Sequence, residues 1–346
     1  MDISRMNLTR ERLDVLELKG YGEHMIIVRD LKKTFHVKEG KIFRKKTRDV
    51  EAVKGIDLDI KEGEITGLIG VNGAGKTTTI KMLTTLLEPT SGSILIDDLD
   101  AVSNHMKAKE KINLITGGER NLYWRLTAKE NLNYFGSLYG LSEKMLAPRI
   151  DYLLKMLNLS ENADMPVERF SKGMKQRLQI ARGLINDPKY VFLDEPTLGL
   201  DIIIAKEMRD YMKVLAKSEN KGLLLTTHYM SEIEDLCDFV YIIHQGEIIA
   251  KGTVEEIKQK FQAHFQHTFV ISSAHKESIE KLRIKLENRN VKIVDSDNHE
   301  EVITVSKENQ LIAILQTFEE VGIEVISVRS EEPSLENTIF DLLKSE

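Results

Sequence analysis

The chain has 346 residues, of which 41% are hydrophobic, and its formal net charge is −6. This length exceeds one average domain and predicts two, and the acidic balance does not favour nucleic acid as the main partner. The single cysteine, Cys237, excludes an internal disulfide or a cysteine-based zinc site and is typical of a reducing, cytosolic setting. No apolar run reaches the length of a membrane span, and the N-terminus lacks the apolar core of a signal peptide. We therefore expect any membrane role to depend on a partner.

The first 50 residues begin with a charge-rich stretch, 1–24, which predicts an N-terminal extension with a short surface helix. A strand is expected at 25–28, and Phe35 follows in a turn. The segment 36–49 is rich in lysine and arginine. Its composition favours a solvated loop between two strands, and a contact with anionic lipid or an acidic partner is the alternative.

Residues 70–77 read Gly-Val-Asn-Gly-Ala-Gly-Lys-Thr, which is the G-x-x-x-x-G-K-[ST] phosphate-loop pattern. A predicted buried strand at 64–69 precedes this loop, and a predicted helix follows it. The glycines allow backbone N–H groups to face a phosphate, and the positive end of the helix points to the same place. Lys76 can then reach the β- and γ-phosphates, and the Thr77 hydroxyl can bind Mg²⁺. A glycine-rich turn that only begins a helix is the alternative. The predicted nucleotide-binding residues are Gly70, Val71, Asn72, Gly73, Ala74, Gly75, Lys76, Thr77 and Thr78.

A helical block interrupts an otherwise alternating pattern of strands and helices. Thr127 and Glu130 have the spacing of a capping box at the start of the first helix, and a second helix is expected at 147–157. The block predicts an inserted helical subdomain over about 118–186. The strands expected before it are 51–60, 91–96 and 112–116.

Two further strands end in polar residues. Ser171 is a good N-cap for a helix that reaches about residue 186. The apolar strand after it ends in Asp194 and Glu195, and paired carboxylates are costly at such a place unless they have a role. Asp194 can hold Mg²⁺ beside Thr77, and Glu195 is then placed to polarise a water near the γ-phosphate. The strand at 222–227 leads to His228.

Together these motifs resemble the ATP-binding subunit of ABC transporters over about residues 25–250. The resemblance depends on five motifs in a fixed order. Within the family, the chain is most similar to the drug and antibiotic exporter ATPases, which pair with a separate membrane permease. Their tail commonly ends in a small α/β accessory domain that closes on Pro-Ser-Leu-Glu, here residues 333–336. The five motifs are the phosphate loop 70–77, the signature 170–174, the strand and carboxylates 190–195, the D-loop 198–201 and the switch histidine His228.

The resemblance implies an α/β fold of the P-loop NTPase type, with an ATP-binding domain over 25–252 and an accessory domain over 253–346. It implies an ATPase that uses Mg²⁺ and drives export of a substrate through a transmembrane permease. The subunit would lie at the cytoplasmic face of the cell membrane, held there by the permease. Two copies would form a head-to-tail dimer around ATP.

The resemblance also assigns roles to single residues. Phe35 would stack on adenine, or it is simply a packed aromatic of a turn. Glu195 would be the general base and His228 the γ-phosphate sensor, or a satisfied histidine at a strand end. Asp201 belongs to the D-loop. The signature residues would contact ATP bound to the opposite subunit, with the serine and the glycine gripping its γ-phosphate: Ser171, Lys172, Gly173 and Met174.

The sequence departs from the family pattern at two places. The signature has Phe170 and Lys172 where the consensus has leucine and glycine. The family's glutamine loop aligns with Gly118, so no glutamine is present there. The adjacent Glu119 could take the metal-facing role, because a carboxylate binds Mg²⁺. Alternatively, Glu119 is a solvent-facing loop residue and water completes the metal coordination.

The C-terminal part predicts a compact α/β module with no catalytic constellation. His264 and His267 lie three residues apart, but no nearby ligand cluster supports a metal site. A regulatory role and a dimer-stabilising role stay open for the module. Its expected strands are 266–272, 291–294, 302–305 and 323–328, and its expected helices are 276–289, 310–321 and 335–344.

Two other functions compete with the transporter hypothesis. A soluble ABC-type ATPase that acts on ribosomes or nucleic acid usually has two cassettes or a long coiled coil, and this sequence has one cassette and no sustained heptads. A nucleotide-dependent scaffold without hydrolysis is the second, and Asp194, Glu195 and His228 argue against it.

Overall fold

The computed structural model describes residues 24–39, 46–117, 121–260, 265–271, 278, 281–282, 284–285, 291–295, 300–306 and 311–331. It divides into two compact units, 1–253 and 254–346. Four predicted features lie outside the described residues: the extension up to residue 23, Gly118 with Glu119, His264, and the tail that holds residues 333–336 and the final helix. Among the described residues, no helix has the length and apolar character needed to cross a membrane.

The first unit contains two sheets. A four-stranded antiparallel sheet has the order β2-β1-β4-β5, and a six-stranded sheet has the order β10-β9-β3-β8-β7-β6. The six-stranded sheet is parallel except at its β10 edge. In chain order these strands are β1 (Met25–Glu39), β2 (Lys46–Lys61), β3 (Ile65–Ile69), β4 (Ser91–Ile96), β5 (Leu99–Asp100), β6 (Ile112–Thr116), β7 (Tyr190–Asp194), β8 (Gly222–Thr226), β9 (Phe239–His244) and β10 (Glu247–Gly252).

The parallel sheet is buried on both faces, which explains its continuous apolar strands. Because side chains alternate along a strand, Val191 and Leu193 of β7 pack into one core, and Tyr190 and Phe192 pack into another. The first core joins the sheet to the helical layer, and the second joins it to the antiparallel sheet. The helices of this unit are α1 (Lys76–Leu83), α2 (His105–Lys111), α3 (Ala128–Leu138), α4 (Glu143–Met156), α5 (Lys172–Gly183), α6 (Ile202–Lys213) and α7 (Met230–Leu236).

The basic segment 36–49 is β-strand at both of its ends, 36–39 and 46–49, so the prediction of a loop is wrong there, and residues 40–45 lie outside the described part of the chain. Strand β1 continues to Glu39 and β2 begins at Lys46, and the two strands pair along this whole length. His36 faces Asp49, with 2.5 Å between Nδ1 and the carboxylate. A polar pair of this kind supports a part of the sheet that has few apolar residues, and it becomes visible only once the register of the two strands is known.

The helical layer begins as expected, and its later helices differ from the prediction in their bounds: α5 ends at Gly183, before the expected residue 186. Thr127 accepts a hydrogen bond from the backbone of Glu130, which returns one to the backbone of Thr127, so the capping box is confirmed. Helix α4 begins at Glu143 and not at 147. The earlier start places Leu146 one turn before Ile150 on the same buried face, and the helix accommodates Pro148 in its second turn.

The second unit is a four-stranded antiparallel sheet with helices. Its sheet has the order β12-β13-β11-β14, and Phe269 packs against Phe318 in its core with ring centroids 4.9 Å apart. Residues 278, 281–282 and 284–285 are helical. The last strand was expected at 323–328 but begins later and runs further. The other elements are α8 (Val254–Lys260), β11 (Phe265–Ile271), β12 (Val291–Asp295), β13 (Glu300–Ser306), α9 (Leu311–Glu320) and β14 (Val325–Glu331).

Candidate functional site

Strands β3, β8 and β7 are neighbours and parallel, so their carboxyl ends meet at one edge of the sheet. In open α/β sheets, ligands bind in the crevice outside these ends. Here β3 leads into the loop 70–75, β7 ends at Asp194, and β8 is followed by Thr227 and His228. The topology therefore collects residues that are more than 150 positions apart in the chain.

The loop 70–75 lies tightly against neighbouring backbone. A Cβ atom on Gly70 would lie 2.2 Å from the carbonyl oxygen of Ile243. Gly75 has a φ of 112°, and a Cβ there would lie 2.7 Å from the carbonyl oxygen of Ala52. Only glycine fits both positions, which leaves the loop backbone free to face an anion at the start of α1.

Lys76 begins α1 and is only 7% exposed. Its Nζ donates hydrogen bonds to two carbonyl oxygens of its own loop, to Gly70 at 2.5 Å and to Val71 at 3.2 Å. Burial lowers the pKa of the Lys76 ammonium group, and the nearby carboxylates of Glu195 and Asp194 partly oppose this shift. The ammonium group of Lys76 thus lies inside the loop, at a place where phosphate oxygens could accept the hydrogen bonds now made to the two carbonyl oxygens.

Asp194 is fixed by the neighbouring strand and faces the phosphate loop. Thr226, whose side chain is fully buried, donates a hydrogen bond of 2.6 Å to Oδ1 of Asp194. The other carboxylate oxygen, Oδ2, lies 3.5 Å from the hydroxyl of Thr77. A hydroxyl and a carboxylate oxygen that converge in this way are ligands that Mg²⁺ prefers, so the residues fit this ion.

Glu195 has a backbone conformation that is rare outside glycine, with a φ of 50°. Such positions cost about 1–3 kcal/mol and cluster at functional sites. Its backbone N–H donates to the carbonyl oxygen of Thr226 at 3.0 Å, and its Oε1 lies 3.3 Å from Nδ1 of His228. The carboxylate and the imidazole, 33 residues apart in the chain, thus form a pair beside Lys76 and Asp194.

The signature residues contact the D-loop of the same chain. Ser171 caps α5 by accepting a hydrogen bond from the N–H of Met174 at 3.2 Å, so its predicted capping role is confirmed. Lys172 donates from Nζ to the carbonyl oxygen of Gly199. A Cβ on Gly173 would lie 2.8 Å from Cδ1 of Ile204, so a side chain at this position would require Ile204 to move.

The D-loop itself ends in a helix cap. Asp201 accepts a hydrogen bond from the N–H of Ile204 at 3.0 Å and so begins α6. Because Lys172 reaches Gly199 and Ile204 lies against Gly173, the starts of α5 and α6 form one surface. Lys172, which departs from the family consensus, therefore connects the signature to the D-loop of the same chain.

Phe35 lies on β1 and not in a turn, and its side chain is 37% exposed. The ammonium group of Lys33 lies 5.4 Å from the centre of its ring. An exposed ring on a strand is available to stack on a planar ligand, and the adenine role of Phe35 stays a prediction.

Sequence reasoning missed four polar residues that support this edge of the sheet. Thr226 orients Asp194, and the buried Glu232 accepts hydrogen bonds from the hydroxyls of Thr227 and Thr197. The two threonines directly before His228 were the available signal, since polar side chains at the end of a buried strand need partners.

One further group of possible metal ligands lies apart from these motifs and comprises His24, Glu62 and Asp97. The carboxylate of Asp97 already accepts hydrogen bonds from Lys111 at 2.6 Å, from the hydroxyl of Tyr190 at 2.6 Å and from Lys189 at 3.1 Å. Burial would raise the pKa of Asp97, but these donors outweigh it and hold the pKa below its usual value. The lysines supply the positive charge there, so this group is structural.

Comparison with known proteins gives a family for this site. The family described as ABC transporter matches residues 53–198. The ABC transporter ATP-binding protein NatA of Bacillus subtilis is 44% identical over 62% of this chain and 87% of its own length. The bacitracin transport ATP-binding protein BcrA of Bacillus licheniformis is 35% identical over 85% of this chain and 92% of its own length. The ABC transporter A family member 12 of Arabidopsis thaliana is 34% identical, and the chain spans 30% of its length.

Solved structures show the same fold. The ATP-binding cassette MJ0796, solved as a dimer in a post-hydrolysis state with ADP and Pi, is 26% identical to this chain and superposes with a TM-score of 0.57. The match covers 66% of this chain and 98% of that one. The α/β fold class with its phosphate loop is therefore confirmed.

Proposed function

The chain belongs to the family of ABC transporter ATP-binding subunits, and from this premise we propose that it drives export of a substrate through a separate transmembrane permease. Its ATPase activity follows from the family. The observation that carries the export proposal is the similarity to the bacitracin transport protein, which covers 85% of this chain and extends beyond residue 250. The second unit is thus also part of the likeness.

The phosphate loop binds the nucleotide in this proposal. Its backbone N–H groups and the start of α1 surround the phosphates, and Phe35 stacks on the adenine. Lys76 exchanges its two carbonyl partners for β- and γ-phosphate oxygens. This exchange keeps a buried ammonium group hydrogen-bonded before and after binding, so the loop does not have to expose it.

Glu195 and His228 carry the hydrolytic step in this proposal. Glu195 takes a proton from the water that attacks the γ-phosphorus, while the bond from this phosphorus to the bridging oxygen of the β-phosphate breaks and ADP leaves. His228, 3.3 Å from Glu195, contacts the γ-phosphate. Thr77 and Asp194 would hold Mg²⁺, which neutralises charge that develops on the phosphates. Glu119, outside the described residues, is a proposed further ligand. The phosphate loop, Asp194 and the Glu195–His228 pair lie at one sheet edge, and this supports the proposal.

A head-to-tail dimer completes the site in this proposal. The serine and glycine of the signature contact the γ-phosphate bound by the other copy, with Lys172, Met174 and Asp201 beside them. Ser171 is exposed and lies at the start of α5, where the helix dipole favours an anion. The dimeric state of the ADP-bound cassette with 26% identity also supports this arrangement.

The permease contact is proposed for an exposed aromatic cluster of the helical layer. Tyr123 and Trp124 are each 48% exposed, and the Tyr123 hydroxyl donates to that of Tyr134 at 3.2 Å. The ammonium group of Lys175, on the signature helix, lies 4.6 Å from the centre of the Trp124 ring. Exposed aromatics are typical of protein interfaces, and this cluster contacts α5, the helix that begins with the signature. Held by the permease, the subunit lies at the cytoplasmic face of the membrane.

A pull-down tests the proposal. The tagged protein is purified from detergent-solubilised membranes with ATP, and co-purified proteins are identified and quantified. We expect a multispanning membrane protein in near-equal amount with the wild-type chain and with Met106→Asp, a control at an exposed site on α2. We expect this membrane protein to be absent when Trp124→Asp is purified in the same way. Ribosomal proteins or RNA in place of a membrane protein would contradict the proposal and favour the soluble alternative.

A further inference from the structure

Glu232 of α7 is a buried acidic residue with no role in the proposed mechanism. It is 4% exposed, and both of its carboxyl oxygens accept hydrogen bonds from threonine hydroxyls. Thr227 donates to Oε2 at 2.7 Å, and Thr197 donates to Oε1. A buried carboxyl group is costly unless it is hydrogen-bonded. These two hydrogen bonds therefore hold the Glu232 side chain in its position.

The two threonines come from the two turns that carry the hydrolytic pair. Thr197 lies two residues after Glu195, and Thr227 directly precedes His228. The Thr227 hydroxyl also accepts a hydrogen bond from the N–H of Tyr229 at 3.0 Å, which fixes the turn around the histidine. The carboxyl group of Glu232 thus joins both turns.

A second contact, from α5, holds the turn after Glu195. Gln176 of α5 is 5% exposed, and its Nε2 donates to the carbonyl oxygen of Pro196 at 2.7 Å. The turn 196–197 is therefore fixed between the signature helix and α7. Glu195 has a left-handed backbone, which is strained and persists only where the surrounding structure holds it. The direction of its side chain therefore depends on the contacts that fix the turn 196–197.

We propose that Glu232 is a positioning residue that sets the geometry of Glu195 and His228 and so the rate of the hydrolytic step. It does this through Thr197 and Thr227. The inference rests on the proposed roles of Glu195 and His228. A displacement of about 1 Å at such a pair can cost about 100-fold in rate.

The position of Glu232 separates its effect on kcat from an effect on nucleotide binding. Its hydrogen bonds reach the turns at the ends of β7 and β8, and the phosphate loop follows β3. In Glu232→Gln we therefore expect kcat to fall about 10- to 100-fold, the upper figure being the cost of a displacement of about 1 Å at the reacting groups. The KM for ATP and the affinity for a fluorescent ATP analogue should stay within about twofold.

The matched control is Glu234→Gln, which changes an exposed carboxylate of the same helix. A second pair of variants tests the contact from the other partner. Thr197→Val removes the hydroxyl and should reproduce the fall in kcat, and Thr197→Ser keeps the hydroxyl and should restore most of it. Melting temperatures of all variants are measured in parallel. If Glu232→Gln does not fold, the two Thr197 variants still test the same hydrogen bond.

A double variant distinguishes positioning from general stabilisation. If Glu232 acts through His228 and Glu195, Glu232→Gln should lower kcat by a smaller factor in a His228→Ala background than in the wild type, because only the part that acts through Thr197 and Glu195 remains. A multiplicative effect, an equal loss of nucleotide affinity, or wild-type kcat in Glu232→Gln would overturn the inference. Glu195→Gln is measured alongside. If that variant hydrolyses ATP normally, the proposed mechanism fails, and if it is inactive while Glu232→Gln is normal, only this inference fails.

Discussion

The orientation of Asp194 is the most direct quantitative test of the site. Thr226 is fully buried and donates a 2.6 Å hydrogen bond to Oδ1 of Asp194, which leaves Oδ2 facing the hydroxyl of Thr77. Thr226→Val removes the hydroxyl and keeps the shape of the side chain. The variant should leave the carboxylate in place but without its fixed direction.

The magnitude follows from the charge of the acceptor. A hydrogen bond to a charged group contributes about 1.5–3 kcal/mol, which corresponds to about 10- to 150-fold in an equilibrium constant. Loss of a partner that orients a metal ligand typically costs about 10- to 100-fold in metal affinity. We expect the Mg²⁺ concentration for half-maximal ATPase activity to rise at least about tenfold.

The assay is the ATPase rate at saturating ATP across a Mg²⁺ titration. Nucleotide affinity in EDTA is measured separately and should be unchanged, because Lys76 and the loop 70–75 are intact. Thr226→Ser keeps the donor and serves as the control. An unchanged Mg²⁺ curve in Thr226→Val, with the protein folded, would refute the assignment of Asp194 as the metal-facing carboxylate.

Three further variants test the remaining parts of the site. Lys76→Ala should abolish ATP binding because it removes the cation at the β- and γ-phosphates, and micromolar affinity in equilibrium dialysis would contradict the loop assignment. Glu195→Gln should keep ATP binding and block hydrolysis, leaving an ATP-bound dimer on gel filtration, whereas normal turnover would exclude Glu195 as the base. Ser171→Arg should impair hydrolysis while the phosphate loop stays intact. Mixed with Lys76→Ala, it should give dimers with at most one working site, and full recovery of activity would exclude composite sites.

The sequence alone determined the features that depend on neighbouring residues. The phosphate loop needs glycines at fixed positions between a strand and a helix, and the capping box of Thr127 and Glu130 closes within four residues. The capping role of Ser171 is local in the same way. Buried parallel strands such as β7 and β8 were visible because both faces require apolar residues.

Boundaries that depend on distant partners were not visible. Strand β1 reaches Glu39 and β2 starts at Lys46 because the two strands pair with each other up to these residues. The polar sequence of this part resembles a loop when it is considered without its partner strand. The start of α4 at Glu143 depends on the buried place available to Leu146 in the helical layer.

Only the tertiary structure decided which polar residues act on one another. The motifs predicted that Asp194, Glu195 and His228 belong to one site, but not that Thr226 orients Asp194 or that Glu232 joins the turns beside Glu195 and His228. Hydrogen bonds act over about 3 Å, and the residues they join here come from strands and helices that meet only when the sheet is assembled in its order. Sequence patterns fix residue types at a spacing along the chain, and the packing of β7, β8 and α7 fixes their distances in space.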